Sequence, residues 1–73
     1  MTTAAEDKLL KKLASRIEYL RRQTGDSQIV FAEKAGLHRA YFGDIERGRN
    51  ISVLTASKIA KALGITLSEL FQL

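Results

Sequence analysis

The stretch SQIVFAEKAGLHRAYFGDIERG, residues 27–48, decides the fold of this chain. Ser27 suits the N-cap of a short helix, because its hydroxyl can accept a hydrogen bond from a free backbone N–H group of the first turn. Gly36 can take the left-handed conformation that a sharp turn between helices requires. A second short helix follows and is expected to end at Gly48. The stretch therefore predicts two short helices that meet at a tight turn.

Helical spacing divides both helices into an inward and an outward face. The predicted inward residues are Val30, Phe31, Ala32 and Ala35 in the first helix and Phe42 and Ile45 in the second. The outward face of the second helix is polar and basic, with His38, Arg39, Ala40, Tyr41 and Asp44. Two helices that meet at a glycine turn, with such an outer face on the second, predict a helix-turn-helix that reads DNA.

The remaining sequence predicts an all-α fold of about five helices, since it has no proline and four of its five glycines separate helical segments. The first helix is expected over about residues 6–24, and residues 2–7, which carry no core position, are expected to fray. Its predicted inward residues are Leu9, Leu10, Leu13, Ile17 and Leu20.

Two more helices are predicted after Gly48. Ser52 is the expected N-cap of the fourth helix, which ends at Gly64. The predicted inward residues of that helix are Val53, Ala56, Ile59, Ala60 and Leu63. Thr66 and Glu69 form a T-x-x-E capping box for a last helix over about residues 67–72.

These motifs resemble the Cro/repressor-type (XRE-like) helix-turn-helix regulators. That family has roughly the pattern S-Q-x-x-L-A-x-x-x-G, an apolar residue, a variable segment and I-E-x-G. The matching residues are Ser27, Gln28, Phe31, Ala32, Gly36, Leu37, Ile45, Glu46 and Gly48. The resemblance covers about residues 13–71, and L-H-R-A-Y with I-E-R-G-R-N is most similar to the controller proteins of restriction–modification systems. It implies a single five-helix, lambda-repressor-like DNA-binding domain over residues 1–73, with its core at about residues 6–72.

The resemblance also implies how DNA is contacted. Gln28 resembles the family's phosphate contact at the start of a helix. Arg39 could donate to guanine O6 and N7, and Asp44 could either accept from cytosine or pair with Arg39 or Arg47. His38 stands where the family usually has a Ser or Thr N-cap, and its ring could reach a phosphate or base. The candidate DNA-binding residues are Ser27, Gln28, His38, Arg39, Ala40, Tyr41, Asp44, Arg47, Arg49 and Asn50.

A structural salt bridge between Arg21 and Glu46 is implied as well, because the family pairs these two positions. Some residues depart from the family pattern. Asp26 replaces an apolar residue before the N-cap, and Val30 replaces the Glu of a capping box, so the helix after Ser27 is expected to be less firmly anchored. Apolar side chains stand where the family is usually polar at positions 29 and 54, which indicates a contact surface.

Composition favours a nucleic-acid partner. Twelve Lys and Arg against eight Asp and Glu give a net charge of +4, which suits a polyanion. The chain has no Cys and one His, so we expect neither a disulfide nor a metal site. No apolar run approaches the roughly 20 residues of a membrane span, and no export signal precedes the first helix, so a cytoplasmic location is expected. The sequence shows no catalytic grouping and no cofactor or small-molecule motif, and we expect no enzyme activity.

A homodimer is expected because a domain this small buries only about 60% of the surface of its unfolded chain. The predicted dimer interface comprises Leu54, Leu67, Leu70, Phe71 and Leu73. Such a dimer would place two recognition helices in successive major grooves of a palindromic operator and regulate transcription, for instance as a repressor. Two alternatives stay open: a protein-interaction adaptor, or an antitoxin, built on the same fold.

Overall fold

The computed structural model describes residues 3–73 of the chain. This range contains five helices joined by short connections. They are α1 (Ala4–Thr24), α2 (Gln28–Ala35), α3 (Arg39–Ile45), α4 (Val53–Leu63) and α5 (Leu67–Leu70). Each helix starts after a residue whose side chain accepts a hydrogen bond from the first turn: Thr3, Ser27, His38, Ser52 and Thr66. The predicted all-α class with five helices is confirmed. Within this range, no helix combines the length and apolarity that crossing a membrane requires.

Helix boundaries differ from the predictions at both ends of the chain. Helix α1 starts at Ala4 because Thr3 and Glu6 form a capping box, a T-x-x-E signal that the sequence interpretation overlooked. The prediction that residues 2–7 fray is therefore wrong for residues 3–7, and Thr2 lies outside the described residues. Helix α5 ends at Leu70 rather than near residue 72.

Helix α3 ends at Ile45, three positions before the predicted stop at Gly48. The chain leaves the helix through tight turns, in which the Arg47 and Gly48 N–H groups donate to the carbonyl oxygens of Asp44 and Ile45, each at 3.0 Å. In these bonds the donor lies three positions after the acceptor, as in a 3₁₀-helix, whereas in an α-helix it lies four positions after it. The turns leave the side chains of residues 46–49 outside the regular helix.

The core lies where α1, α2, α3 and α4 meet and is closed by α5. Its largest fully buried side chains are Ile17, Phe31, Phe42, Ile45, Ile59 and Leu70. The rings of Phe31 and Phe42 lie 5.1 Å apart between centroids, in a tilted arrangement that joins α2 to α3. Leu20, Leu37 and Leu63 are half-buried against this cluster. The contact between these two rings, in addition to the turn, therefore holds α2 and α3 together.

Three residues predicted to face inward are exposed instead. Leu9 lies one turn before the buried Leu13, Val30 lies off the buried face of α2, and Val53 begins α4. Their exposed fractions are 56%, 44% and 70%, respectively. Leu9 and Val53 line a shallow apolar groove instead of the core. The helical period of the sequence could not show whether these positions are buried or exposed, because each lies at the edge of the apolar face of its helix.

Substitution of Gly43 tests how closely other side chains pack against α3, the helix predicted to be the recognition helix. A Cβ atom at this position would lie 3.6 Å from Arg47 Nη1, an ordinary van der Waals distance. Because alanine is favoured over glycine within a helix, Gly43→Ala should raise the free energy of unfolding by about 0.5–1 kcal/mol. The measurement is a denaturant melt.

Gly36→Ala serves as the matched control. Gly36 has a φ of +70°, where a Cβ atom is disfavoured, so this variant should lose about 1 kcal/mol. A loss of stability in both variants would contradict the free space seen at Gly43.

Candidate nucleic-acid interface

The recognition face is built by the orientation of α3. Phe42 and Ile45 are fully buried, which turns Arg39 and Ala40 to the surface. Gly36 makes the turn between α2 and α3 with a left-handed backbone, φ +70°, and its N–H donates to the carbonyl oxygen of Glu33. The outward placement of Arg39 and Ala40 therefore follows from the buried side of the same helix.

His38 is the N-cap of α3. Its Nδ1 accepts a hydrogen bond of 3.1 Å from the backbone N–H of Ala40. Since an accepting Nδ1 carries no proton, the neutral ring carries its proton on Nε2. His38 thus fills the structural role that Ser or Thr usually has, and its Nε2–H group is the part of the ring that stays available to a ligand.

A buried ion pair fixes the recognition helix to α1. Arg21 Nε donates to Glu46 Oε2 at 2.8 Å, and Arg21 Nη2 donates to Glu46 Oε1 at 3.1 Å. The two side chains are 9% and 3% exposed. Hydrogen bonding to Glu46 raises the pKa of Arg21 above its ordinary value, although burial acts in the opposite direction. The predicted salt bridge is present and bidentate.

Two further groups complete this ion pair. Arg21 Nη1 donates to the carbonyl oxygen of Asp26 at 2.8 Å, and Gln28 Nε2 donates to Glu46 Oε1 at 2.8 Å. The network therefore joins α1, the α1–α2 loop, α2 and the end of α3. Asp26, which was expected to weaken the start of α2, anchors it through this carbonyl and through a 2.9 Å salt bridge to Lys34.

Gln28 lies at the start of α2, where its side chain contacts the buried ion pair. Its amide nitrogen donates one of its two hydrogens to Glu46 Oε1, which leaves a second N–H. The groups of Gln28 with the chemistry to contact a phosphate are this second N–H and the backbone N–H at the start of α2, beside the Ser27 cap. The side chain itself positions Glu46.

Charged side chains at the end of α3 and in the turn that follows it pair with one another. Asp44 forms salt bridges with Arg47 and with Arg49, the latter at 3.4 Å. Two alternative arginine partners were predicted for Asp44, and the structure shows the pairing with Arg47 and not the one with Arg39. The Arg49 guanidinium also lies 5.0 Å from the centroid of the half-buried Tyr41 ring, which was expected to point outward. Among residues 3–73, Arg39 enters no salt bridge.

The structure brings five of the ten predicted DNA-binding residues together in one cleft. Gln28, Arg39, Ala40, Asp44 and Arg47 line a cleft of about 300 Å³ between α2 and α3. Ile29, a residue absent from the predicted contacts, lines the same cleft and is 53% exposed. The only sequence signal for Ile29 was its apolar character at a normally polar position. Asn50 is exposed in the loop between α3 and α4.

The predicted dimer residues divide into two groups. Leu54, Phe71 and Leu73 are 76%, 43% and 48% exposed. Leu67 is half-buried against the core, and Leu70 is completely buried within it. Leu70 therefore offers no surface to a partner, and its place in the predicted interface is wrong. The exposed residues Leu9, Val53, Leu54, Phe71 and Leu73 are called the apolar surface below.

Comparison with known proteins identifies the family. A helix-turn-helix family profile matches residues 17–70. The control protein C.MunI of Mycoplasma sp is 44% identical over 62 residues, which cover 82% of this chain and 84% of that protein. The immunity repressor protein of Bacillus phage phi105 is 44% identical over 57 residues, 77% of this chain and 40% of that protein.

A solved structure leads to the same family. The restriction–modification controller protein C.AhdI from Aeromonas hydrophila superposes with a TM-score of 0.82 at 44% identity, covering 85% of this chain and 96% of that chain. The chain belongs to the helix-turn-helix family of DNA-binding transcriptional regulators.

The buried ion pair generates a stability prediction. Glu46→Ala should lower the free energy of unfolding by about 3–5 kcal/mol, because it leaves the buried Arg21 without its counter-charge. The double variant Arg21→Met with Glu46→Leu should recover much of the loss, since no charge is then stranded. Denaturant melts of the three proteins measure both effects.

The exposed pair Arg22–Glu18 is the control, with side chains 70% and 42% exposed. Glu18→Ala should cost less than about 0.5 kcal/mol. If Glu46→Ala behaved like Glu18→Ala, the ion pair would not stabilise the position of α3.

Proposed function

We propose that this protein is a homodimeric, sequence-specific transcriptional regulator of the restriction–modification controller type, which acts in the cytoplasm on a palindromic operator. One observation carries the proposal: the buried Arg21–Glu46 pair ties the end of α3 to α1, and the exposed face of α3 presents Arg39, which forms no salt bridge within residues 3–73. Rigid presentation of a cationic helix face is what docking in a major groove requires. The similarity to C.MunI and C.AhdI supports the controller class.

Arg39 has the chemistry of a base-reading residue in this proposal. It lies in the first turn of α3, is exposed, and has no acidic partner within residues 3–73. A free guanidinium can donate two parallel hydrogen bonds to guanine O6 and N7. Asp44 is less suited to reading bases, because its carboxylate already bridges Arg47 and Arg49.

Phosphate contacts set the register of the protein on DNA. The start of α2 offers backbone N–H groups beside Ser27, and the turn after α3 offers Arg47, Arg49 and Asn50. His38 can add its Nε2–H group. These groups precede and follow the recognition helix α3 along the chain or cap its start, and we expect them to contact the two backbones that border one major groove.

The second subunit is proposed to bind at the apolar surface. Its exposed side chains come from α1, α4 and the segment after α5, and Leu9, Val53, Phe71 and Leu73 line a groove of about 210 Å³. A two-fold axis through this surface would pair identical patches. Operator half-sites should then lie about 34 Å apart, one turn of DNA.

Selection of bound fragments from a random DNA pool tests the proposed function. A recovered palindrome supports a dimeric DNA reader. No enrichment of any sequence would overturn it in favour of a protein-interaction adaptor. Enrichment of a single non-repeated half-site would retain DNA reading and remove the dimer.

Arg39→Ala should relax preference at one base position and weaken binding to the selected site by about 1–3 kcal/mol. Gln28→Ala should instead weaken all sequences about equally, because it removes a side-chain N–H that can contact a phosphate and the hydrogen bond that positions Glu46. Affinities for the selected and a scrambled duplex distinguish the two results. Equal losses on both duplexes in Arg39→Ala would make Arg39 a phosphate contact.

Leu54→Glu should shift the protein from dimer to monomer in sedimentation experiments and weaken operator binding, since it places a charge in the apolar surface. Val30→Glu is the matched control: Val30 is also exposed, and the new Glu would complete a capping box with Ser27. This variant should sediment as the wild type does. A wild type that is monomeric at about 100 μM, a concentration above typical dissociation constants, would contradict the interface.

A further inference from the structure

The cleft between α2 and α3 contains an apolar wall that the proposed contacts leave unused. Ile29, Ala40 and Gly43 are among the residues that line it. A Cβ atom on Gly43 would lie 3.8 Å from Gln28 Oε1 and 3.6 Å from Arg47 Nη1, so the missing side chain leaves space within the cleft beside these polar groups. Ile29 and Ala40 supply the aliphatic part of the lining.

Several polar groups of the cleft already have partners. Gln28 donates one amide hydrogen to Glu46, and Asp44 binds Arg47 and Arg49. Arg39 is the charged side chain at the cleft that remains without an ionic partner in residues 3–73. Besides these partly paired groups, the cleft thus offers DNA the Arg39 guanidinium and the aliphatic carbons of Ile29 and Ala40.

Ile29 has no role in the core that would explain its side chain. The buried residues of α2 are Phe31, Ala32 and Ala35, whereas Ile29 is 53% exposed. A β-branched residue also gains nothing for an exposed helix position, because helix formation restricts its side chain. An exposed aliphatic group that lines the same cleft as Arg39 suits a ligand that is apolar at one point and hydrogen-bonding at another.

The major groove offers one prominent apolar group, the 5-methyl of thymine. We propose that Ile29 and Ala40 form an apolar wall of the cleft, against which the methyl group of one thymine in each half-site packs, next to the base that Arg39 reads. The inference rests on the proposed function. It adds Ile29, a residue of α2, to the residues that determine sequence specificity.

Replacing each thymine of the selected operator singly by deoxyuridine removes one methyl group and leaves base pairing intact. At one position per half-site, wild-type affinity should fall by about three- to fivefold, the value of burying one such group. Ile29→Ala should bind the thymine duplex correspondingly less tightly and should show a much smaller thymine-to-uracil difference there. Val30→Ala, an exposed neighbour outside the cleft, should retain the wild-type difference.

Gly43→Ala provides a second variant that keeps Ile29 in place. Its added methyl group takes up space in the cleft beside Arg47 and Gln28, so the thymine-to-uracil difference should shrink although the fold remains intact by circular dichroism. The inference is overturned if no thymine is sensitive in the wild type, or if Ile29→Ala retains the full difference. Those results leave the proposed function standing, whereas failure of the wild type to bind any selected duplex would remove both.

Discussion

The recognition helix depends on one buried ion pair, Arg21 with Glu46. A guanidinium and a carboxylate that are 9% and 3% exposed must satisfy each other, because neither retains enough water to stay charged alone. The planar fork of Arg21 also fixes their relative orientation. Since Arg21 belongs to α1 and Glu46 follows α3, the pair sets the angle of α3 against the scaffold. Gln28 and the Asp26 carbonyl extend the same constraint to the start of α2.

This arrangement also determines which charges reach the surface. Glu46 is neutralised inside the protein, and Asp44 is shared between Arg47 and Arg49. The positive potential of the recognition face therefore comes from Arg39 and from the one unbalanced charge of the Asp44 cluster. Long-range attraction to a polyanion arises from such a surplus and weakens as salt screens it. Discrimination between base sequences then depends on the groups at the cleft that keep free donors or apolar surface, such as Arg39 and Ile29.

The apolar surface reflects the limited size of the core. A chain of 73 residues places its large side chains around Phe31, Phe42 and Ile59, and the first turns of α1 and α4 extend past them. Leu9, Val53 and Leu54 consequently find no cover within the protomer. Exposed apolar side chains are unfavourable in water, and a partner that covered them would stabilise so small a domain. The size of the core thus determines which apolar side chains remain for a partner to cover.

Local signals in the sequence determined most of the architecture: Ser27, Ser52 and Thr66 as caps, Gly36 as the turn, and apolar period for the buried faces. Such signals can be read from the sequence because capping and helical periodicity involve residues only three or four positions apart. The family pattern supplied the Arg21–Glu46 pair, whose partners are 25 positions apart. Only the tertiary structure decided that Leu70 is core, that Leu9 and Val53 are surface, that Gln28 binds Glu46, and that Ile29 borders the recognition cleft. Each of these depends on which helix packs over a residue, and that is set by long-range contacts that a local pattern does not contain.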